Sequence, residues 1–293
     1  MTDRLLPPGN RAPVRFLAGL EALDPPAKKI GKAVRTLIKP GPVKDALSGS
    51  WLGHALHPLL TDVTIGSFTS AVALDWLGGH ESEPAAQRLI GLGLLSTLPT
   101  VSSGYNDWAD SEVANDSVRR IGIVHAAANG TGALLFAGSL RARANGARGR
   151  GKLLALAGMG ALSAGGWLGG HLAYAEGVGV DVTVFEDYPG DWTAVVAESE
   201  LAEGEPHRAE LDGVPVVVVR NGGELYALAE RCSHRGGPLS DGEVADGCIT
   251  CPWHGSRFRL EDGSVERGPA AYPQPALDVR VSGGMVEVRD RAS

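Results

Sequence analysis

Four side chains in the last third of the chain have the types and spacing to hold a metal centre. Cys232-Ser233-His234 is followed, after a turn-rich spacer, by Cys251-Pro252-Trp253-His254, so each of two short segments carries one thiol and one imidazole. Two thiolates on one iron and two imidazoles on the other form the donor set of one kind of [2Fe-2S] centre. Gly236 and Gly237 follow the first pair and Gly255 the second. Two loops that close on a small cluster need residues that accept any backbone angle. The same four donors would also satisfy tetrahedral zinc. Zinc modules usually pair Cys with Cys and His with His along the chain, whereas here each segment holds one of each.

Taken whole, Cys232-x-His234-x-Gly236-Gly237-x-Leu239 followed by Cys251-Pro252-Trp253-His254-Gly255-Ser256 resembles the Rieske iron-sulfur family. That resemblance implies an antiparallel β-sandwich with the cluster at one tip, held by Cys232, His234, Cys251 and His254. It also implies that Gly268-Pro269-Ala270-Ala271-Tyr272-Pro273 is the proline-rich loop that covers the cluster. Quinol-oxidising members of the family carry a further Cys on each loop, joined as a disulfide; this chain has Gly237 and Trp253 there. Those members also place a Tyr near a cluster sulfur, where this chain has Phe258, although Ser256 is kept. Fewer hydrogen bonds to the sulfurs imply a potential in the lower half of the roughly −150 to +300 mV Rieske span. Cys248, three residues before a ligand in a strand-like Cys-Ile-Thr-Cys run, reads as a small buried side chain.

The elements that must position these residues are short β-rich runs. Val214 to Arg220 and Glu224 to Ala229 read as strands joined by a tight turn at Asn221-Gly222-Gly223, and Ala276 to Val281 and Met285 to Arg289 as a second pair around Ser282-Gly283-Gly284. The chain of 293 residues is long enough for two domains, and its charge is divided accordingly. Residues 1–180 carry a net +4 and residues 181–293 a net −11. The acidic half excludes nucleic acid as a natural partner and suits a basic redox partner steered to its surface. With three cysteines, two of them assigned to iron, there is no disulfide framework, which fits a reducing compartment. No nucleotide-binding glycine motif, P-loop or nucleophile elbow is present.

Upstream, residues 1–50 form a basic arm broken by Pro7, Pro8, Pro13, Pro25, Pro26, Pro40 and Pro42. Within it, Lys28 to Leu37 reads either as a short amphipathic helix on a membrane surface or as a solvated arm. Four apolar stretches follow, at about 55–78, 86–106, 118–140 and 152–175. Each is near the ~20 residues needed to cross a bilayer and is rich in small residues that let helices approach closely. A soluble bundle is the competing reading, because Asp62 and Asp75 are costly in lipid. Against it, the second and fourth stretches lack the polar face of a soluble helix.

The expected fold class is therefore α + β in two domains: a four-helix transmembrane bundle (51–177), a linker (178–190) and an antiparallel β-sandwich Rieske domain (191–293). In an up-down-up-down bundle, His54 and His57 at the start of the first helix, His125 near the start of the third and His171 near the end of the fourth fall at one level. His54 and His57, three residues apart, share a face of that helix. His80 belongs to the opposite end. The run Gly53-His54-Ala55-Leu56-His57-Pro58-Leu59-Leu60-Thr61-Asp62, with Ile123-Val124-His125 and Gly170-His171-Leu172, resembles an uncharacterised bacterial four-helix membrane family often fused to Rieske domains.

Intramembrane ionisable residues point to function, and the four histidines offer a haem b site, a quinone or quinol site, or merely interfacial side chains of an anchor. The expected activity is membrane-anchored transfer of one electron, with supply of electrons to a separate oxygenase and redox sensing as alternatives. An oxygenase active site in the same polypeptide is not expected, since only 39 residues follow His254 and none is a histidine. No charged-apolar-cleavage segment or twin-arginine pair suggests export. A multi-pass protein of the cell membrane with its Rieske domain in the cytoplasm is the resulting expectation. The redox partner and the oligomeric state stay open.

Overall fold

The computed structural model describes residues 12–291. Pro7 and Pro8 of the basic arm lie outside the described residues. The described residues form two compact units: 12–38 with 56–178, and 39–55 with 179–291.

The first unit is helical: α1 (Ala12–Ala18), α2 (Asp24–Leu37), α4 (Leu56–Leu77), α5 (Glu83–Ser111), α6 (Asp116–Ala144) and α7 (Arg148–Tyr174), with α3 (Pro42–Ser48) belonging to the second unit. Small residues let the long helices meet closely. A Cβ at Gly132 would lie 3.1 Å from the Gly158 carbonyl and one at Gly158 3.2 Å from that of Gly132, so α6 and α7 touch backbone to backbone. Phe68 of α4 stacks on Phe136 of α6 with ring centroids 3.9 Å apart, and Gly93 of α5 leaves the room for it. Asp75, one of the two costly carboxylates, is fully buried and held bidentately by Arg143, while Lys152 donates to its carbonyl at 2.6 Å. Asp62 instead lies on an exposed face of α4.

Two expectations change here. Among the described residues, by length and composition, only α6 and α7 are apolar enough to cross a membrane. Helix α4 carries Asp62 and Asp75 among many Ser and Thr, and α5 carries Glu83, Arg88, Asp107 and Asp110. The basic arm, in turn, does not stay apart. Arg120 grips both oxygens of Asp24 at 2.9 Å, and Arg35 and Arg119 share Glu112 at 2.8 Å, so the helix spanning Lys28 to Leu37 is docked on α5 and α6 through buried Ala27 and Gly31. It is a docked helix rather than a free arm, because Asp24 and Arg35 make their ion pairs with α5 and α6. Residues 39–50, the remainder of the arm, go with the β-rich unit, together with 51–55, which the sequence assigned to the bundle.

That unit is built on a six-stranded antiparallel sheet in the order β1 (Thr193–Ala197), β10 (Met285–Asp290), β9 (Ala276–Ser282), β4 (Glu224–Ala229), β3 (Val214–Asn221), β2 (Pro206–Leu211). A second sheet of four short strands, β5 (Glu243–Ala245), β6 (Cys248–Thr250), β7 (Arg257–Arg259) and β8 (Val265–Arg267), forms a head inserted between β4 and β9. The unbroken valine run of β3 is explained by burial on both faces. Val216 and Val218 pack into the core inside the six-stranded sheet, and Val217 and Val219 into the core shared with the head. Gly222-Gly223 and Gly283-Gly284 close their hairpins with positive φ at both positions, as the twist of the flanking strands requires.

Candidate metal centre

Both donor pairs lie on loops of the head. The loop from Arg231 to Pro238 leaves β4, and the loop from Cys251 to Ser256 joins β6 to β7. Each turns tightly on itself: the Gly236 N–H donates to the Cys232 carbonyl at 2.7 Å and the Gly255 N–H to that of Cys251 at 3.1 Å. Gly236 and Gly255 sit at φ +71° and +78°, where a side chain would be strained. Gly237 has another reason to be glycine. A Cβ there would stand 2.8 Å from Cys251 Sγ, so the first loop passes the second loop's thiol at backbone distance.

The loops bring the four donors together as two pairs. Cys232 and Cys251 are buried and share a thiol hydrogen bond, and the rings of His234 and His254 meet edge to face with centroids 5.0 Å apart. Hydrogen bonding from the Cys232 thiol lowers the Cys251 thiol, helped by the backbone N–H groups of Trp253 and His254. The same shared bond, with burial, pushes Cys232 up, although the N–H groups of His234 and Arg235 work against it. Each sulfur thus faces a cradle of backbone N–H donors suited to a thiolate. Burial chiefly, then the charges of Arg235, His254 and Lys44, hold His234 well below the usual imidazole range. Among the described residues no three ligating side chains converge on one point. A two-iron cluster of this kind divides its ligands two and two, a thiol pair and an imidazole pair. The donor set fits [2Fe-2S].

A third segment closes the head. Ser256 Oγ accepts from the Ala270 N–H at 3.0 Å, and Ser233 Oγ donates to the Tyr272 carbonyl at 2.9 Å, which ties both ligand loops to the proline-rich loop. Gln274, 1% exposed, completes the bracing: its amide donates to the Ala229 and Arg231 carbonyls at 2.8 and 2.6 Å and accepts from the Ser233 N–H at 2.9 Å. Sequence reasoning missed Gln274; a lone amide flanked by Pro273 and Pro275 was the available signal. Glu230 was missed as well. Its buried carboxylate, pushed up by burial, takes the N–H and hydroxyl of Ser240 at 3.1 and 2.6 Å and anchors the far end of the first loop. Cys248 is buried on β6, and Phe258 fills the core beneath the loops.

Three of the four histidines assigned to the bundle lie on its helices: His57 on α4, His125 on α6 and His171 on α7. His57 Nδ1 donates to the Thr100 carbonyl at 2.9 Å with its ring against Gly104, and His125 Nδ1 donates to the Gly165 carbonyl at 2.7 Å with its ring against Gly169. These two lie within electrostatic range of each other. Asn129 also donates to His125 Nε2 at 3.2 Å. His171 Nε2 faces Glu176 at 3.5 Å. His54 precedes α4 and belongs to the β-rich unit, where its ring meets Tyr272 edge to face at 5.7 Å, so it shares no helix face with His57. His80 stands by Glu83 and Arg148 at the start of α5.

A two-loop head with a Cys-His pair on each loop, set on an antiparallel base, defines the class of histidine-ligated [2Fe-2S] domains. The chain belongs to the Rieske [2Fe-2S] family, which matches residues 191–280, and its helical region is a domain of the predicted membrane protein family DUF2231, matched at residues 53–182. The anthranilate 1,2-dioxygenase ferredoxin subunit of Burkholderia cepacia is 35% identical over 98 residues, 33% of this chain and 91% of that protein. Human apoptosis-inducing factor 3 is 33% identical over 96 residues, of which the match spans only 16% of its length. The ferredoxin of carbazole 1,9a-dioxygenase from Nocardioides aromaticivorans IC177 is a solved structure with 32% identity, covering 34% of this chain and 98% of that one, at a TM-score of 0.33.

Proposed function

We propose that this protein is a membrane-anchored one-electron carrier in which Cys232 and Cys251 hold one iron of the cluster and His234 and His254 the other. The observation that carries this reading is the division of four donors into a thiol pair and an imidazole pair on two loops. When bound, the cluster supplies reversible one-electron exchange near the protein surface. The chain's own residues present N–H donors to the thiolates, exclude water by the buried side chains beneath the loops, and lock the loops through Ser233, Ser256 and Gln274.

Anchoring by a four-helix transmembrane bundle is supported by the large apolar side chains left exposed on the long helices, among them Leu95, Leu98, Leu134, Leu153 and Trp167. Such a surface calls for an apolar surrounding. The ferredoxin-subunit relative supports a second reading, electron supply to a separate oxygenase, and the two are distinguished by whether activity stays with the membrane fraction. We place the β-rich domain in the cytoplasm, where clusters are assembled. Ser282, exposed on β9, offers a test: a Ser282→Cys variant should resist an impermeant thiol reagent in spheroplasts, and ready labelling overturns this placement.

Within the bundle we assign a redox role to His57 and His125. Their Nδ1 atoms donate to backbone carbonyls, which fixes the tautomer and leaves Nε2 as the acceptor on both rings. An acceptor nitrogen suits ligation of haem b, or receipt of a proton from a quinol whose electron goes to the cluster. A haem Soret band lost in His125→Ala supports the first use. A haem-free protein whose cluster is reduced by a quinol analogue only with His125 intact supports the second. An unchanged spectrum and unchanged cluster reduction in both His57→Ala and His125→Ala leave the bundle an anchor and overturn the assignment.

A further inference from the structure

The cluster head is closed by a piece of chain that precedes it by about two hundred residues in the sequence. Residues 39–52 lie outside both matched family regions, yet they pack, with residues 53–55, within the β-rich unit. Pro40 lies against Gly255, next to His254: a Cβ on that glycine would meet the proline ring at 3.3 Å. Asp45 and Ser50 lie against Gly268 at the start of the proline-rich loop, and the His54 ring meets Tyr272 further along it. The strap therefore touches the second ligand loop at one end and the covering loop at the other. Helix α3 runs between these contacts, turning at Gly41 and Gly49, both at positive φ.

Buried on α3 is a cation. Lys44 is 4% exposed, and its charge is felt at His234. It has company: Arg235 belongs to the first ligand loop, and Arg267 donates to the Gly255 carbonyl at 3.1 Å. Although residues 181–293 carry a net −11, two of their cations, Arg235 and Arg267, gather at the iron end with Lys44 of the strap. Asp45 partly opposes them, but burial pushes its carboxyl up and weakens that opposition.

We infer that the strap formed by residues 39–55 is a third wall of the cluster site, and that Lys44 on it raises the reduction potential. Adding an electron adds negative charge beside the imidazoles. A positive charge held nearby in a water-poor setting stabilises the reduced form more than the oxidised form, and burial limits screening by salt. The effect opposes the lower potential expected from Phe258 and the missing loop disulfide. It rests on the ligand assignment proposed above.

The test is a potentiometric titration of the full-length protein, followed by electron paramagnetic resonance of the reduced cluster. Lys44→Met keeps the length of the side chain and removes the charge; Lys44→Arg restores it. Lys44→Met should lower the midpoint potential with the resonance line shape intact, and Lys44→Arg should return it towards wild type. Circular dichroism checks that both variants fold. A midpoint in a folded Lys44→Met equal to wild type overturns the inference, as does a Lys44→Arg midpoint as low as that of Lys44→Met. If Lys44→Met fails to fold, the protonated protein settles the matter through geometry: slowed amide exchange at residues 40–54 in the wild type supports the wall, and exchange at free-chain rates overturns it. A wild-type protein with no histidine-ligated signal would instead overturn the cluster reading itself.

Discussion

Replacing His234 or His254 by alanine abolishes the electron paramagnetic resonance signature of a histidine-ligated [2Fe-2S] centre while the six-stranded sheet stays folded. The loss is complete because each imidazole supplies half of one iron's protein ligands, and the loops 231–238 and 251–256 hold no further histidine to replace it. His54 is the nearest alternative on the same unit, and its ring is engaged with Tyr272. The base is spared because its inner core is built from Val196, Leu211, Val216, Leu277 and Val286, none of which lies on the ligand loops. Iron content, resonance and far-ultraviolet circular dichroism on the same samples check the prediction. An unchanged signal in either variant sinks the ligand assignment.

Asp75→Ala should cost about 3 to 5 kcal/mol of stability, the usual result of stranding one partner of a buried ion pair. Asp75 has no exposed side-chain surface and Arg143 has 2%, so the remaining guanidinium has no route to water. Ser139, which accepts from Arg143 Nε at 3.1 Å, is a poor substitute for a carboxylate. The matching double replacement, Asp75→Leu with Arg143→Met, should recover most of the loss, because both desolvation penalties vanish together. Denaturant unfolding in detergent measures both. A single variant as stable as wild type would show that water reaches the pair.

The metal centre was legible almost entirely in sequence because its requirements are local. Each loop carries its own thiol, imidazole and glycine within a few residues, so spacing along the chain reports proximity in space. The valine run of β3 and the Gly-Gly turns were legible for the same reason, since strand period and turn geometry are short-range. The Asp212-Gly213 turn before β3 has the same positive-φ signature, with φ 49° and 84°, and was missed because the strand before it, Pro206 to Leu211, is half polar. What could not be read were contacts made at long separation. Nothing near Lys44 announces that it ends buried at the iron end, or near Asp24 that Arg120 claims it. The histidine level was inferred from helix threading alone. Threading put His54 on the first helix, whereas that helix begins at Leu56 and His54 goes with the β-rich unit, because threading gives depth but not which unit a flanking residue joins.

The head leaves the base after Ala229 and returns at Pro275, and a backbone hydrogen bond of 2.9 Å, from the Ala229 N–H to the Pro275 carbonyl, links the two crossing points beside the side-chain bonds of Gln274. Beyond it, β4 and β9 pair only through Ala227 with Leu277 and Leu228 with Ala276. To the base, the head is a long loop with its ends already adjacent, and the entropy of closing such a loop rises only slowly with its length. Heredity can therefore lengthen, shorten or re-charge the iron-bearing head without rewriting the sheet that carries it.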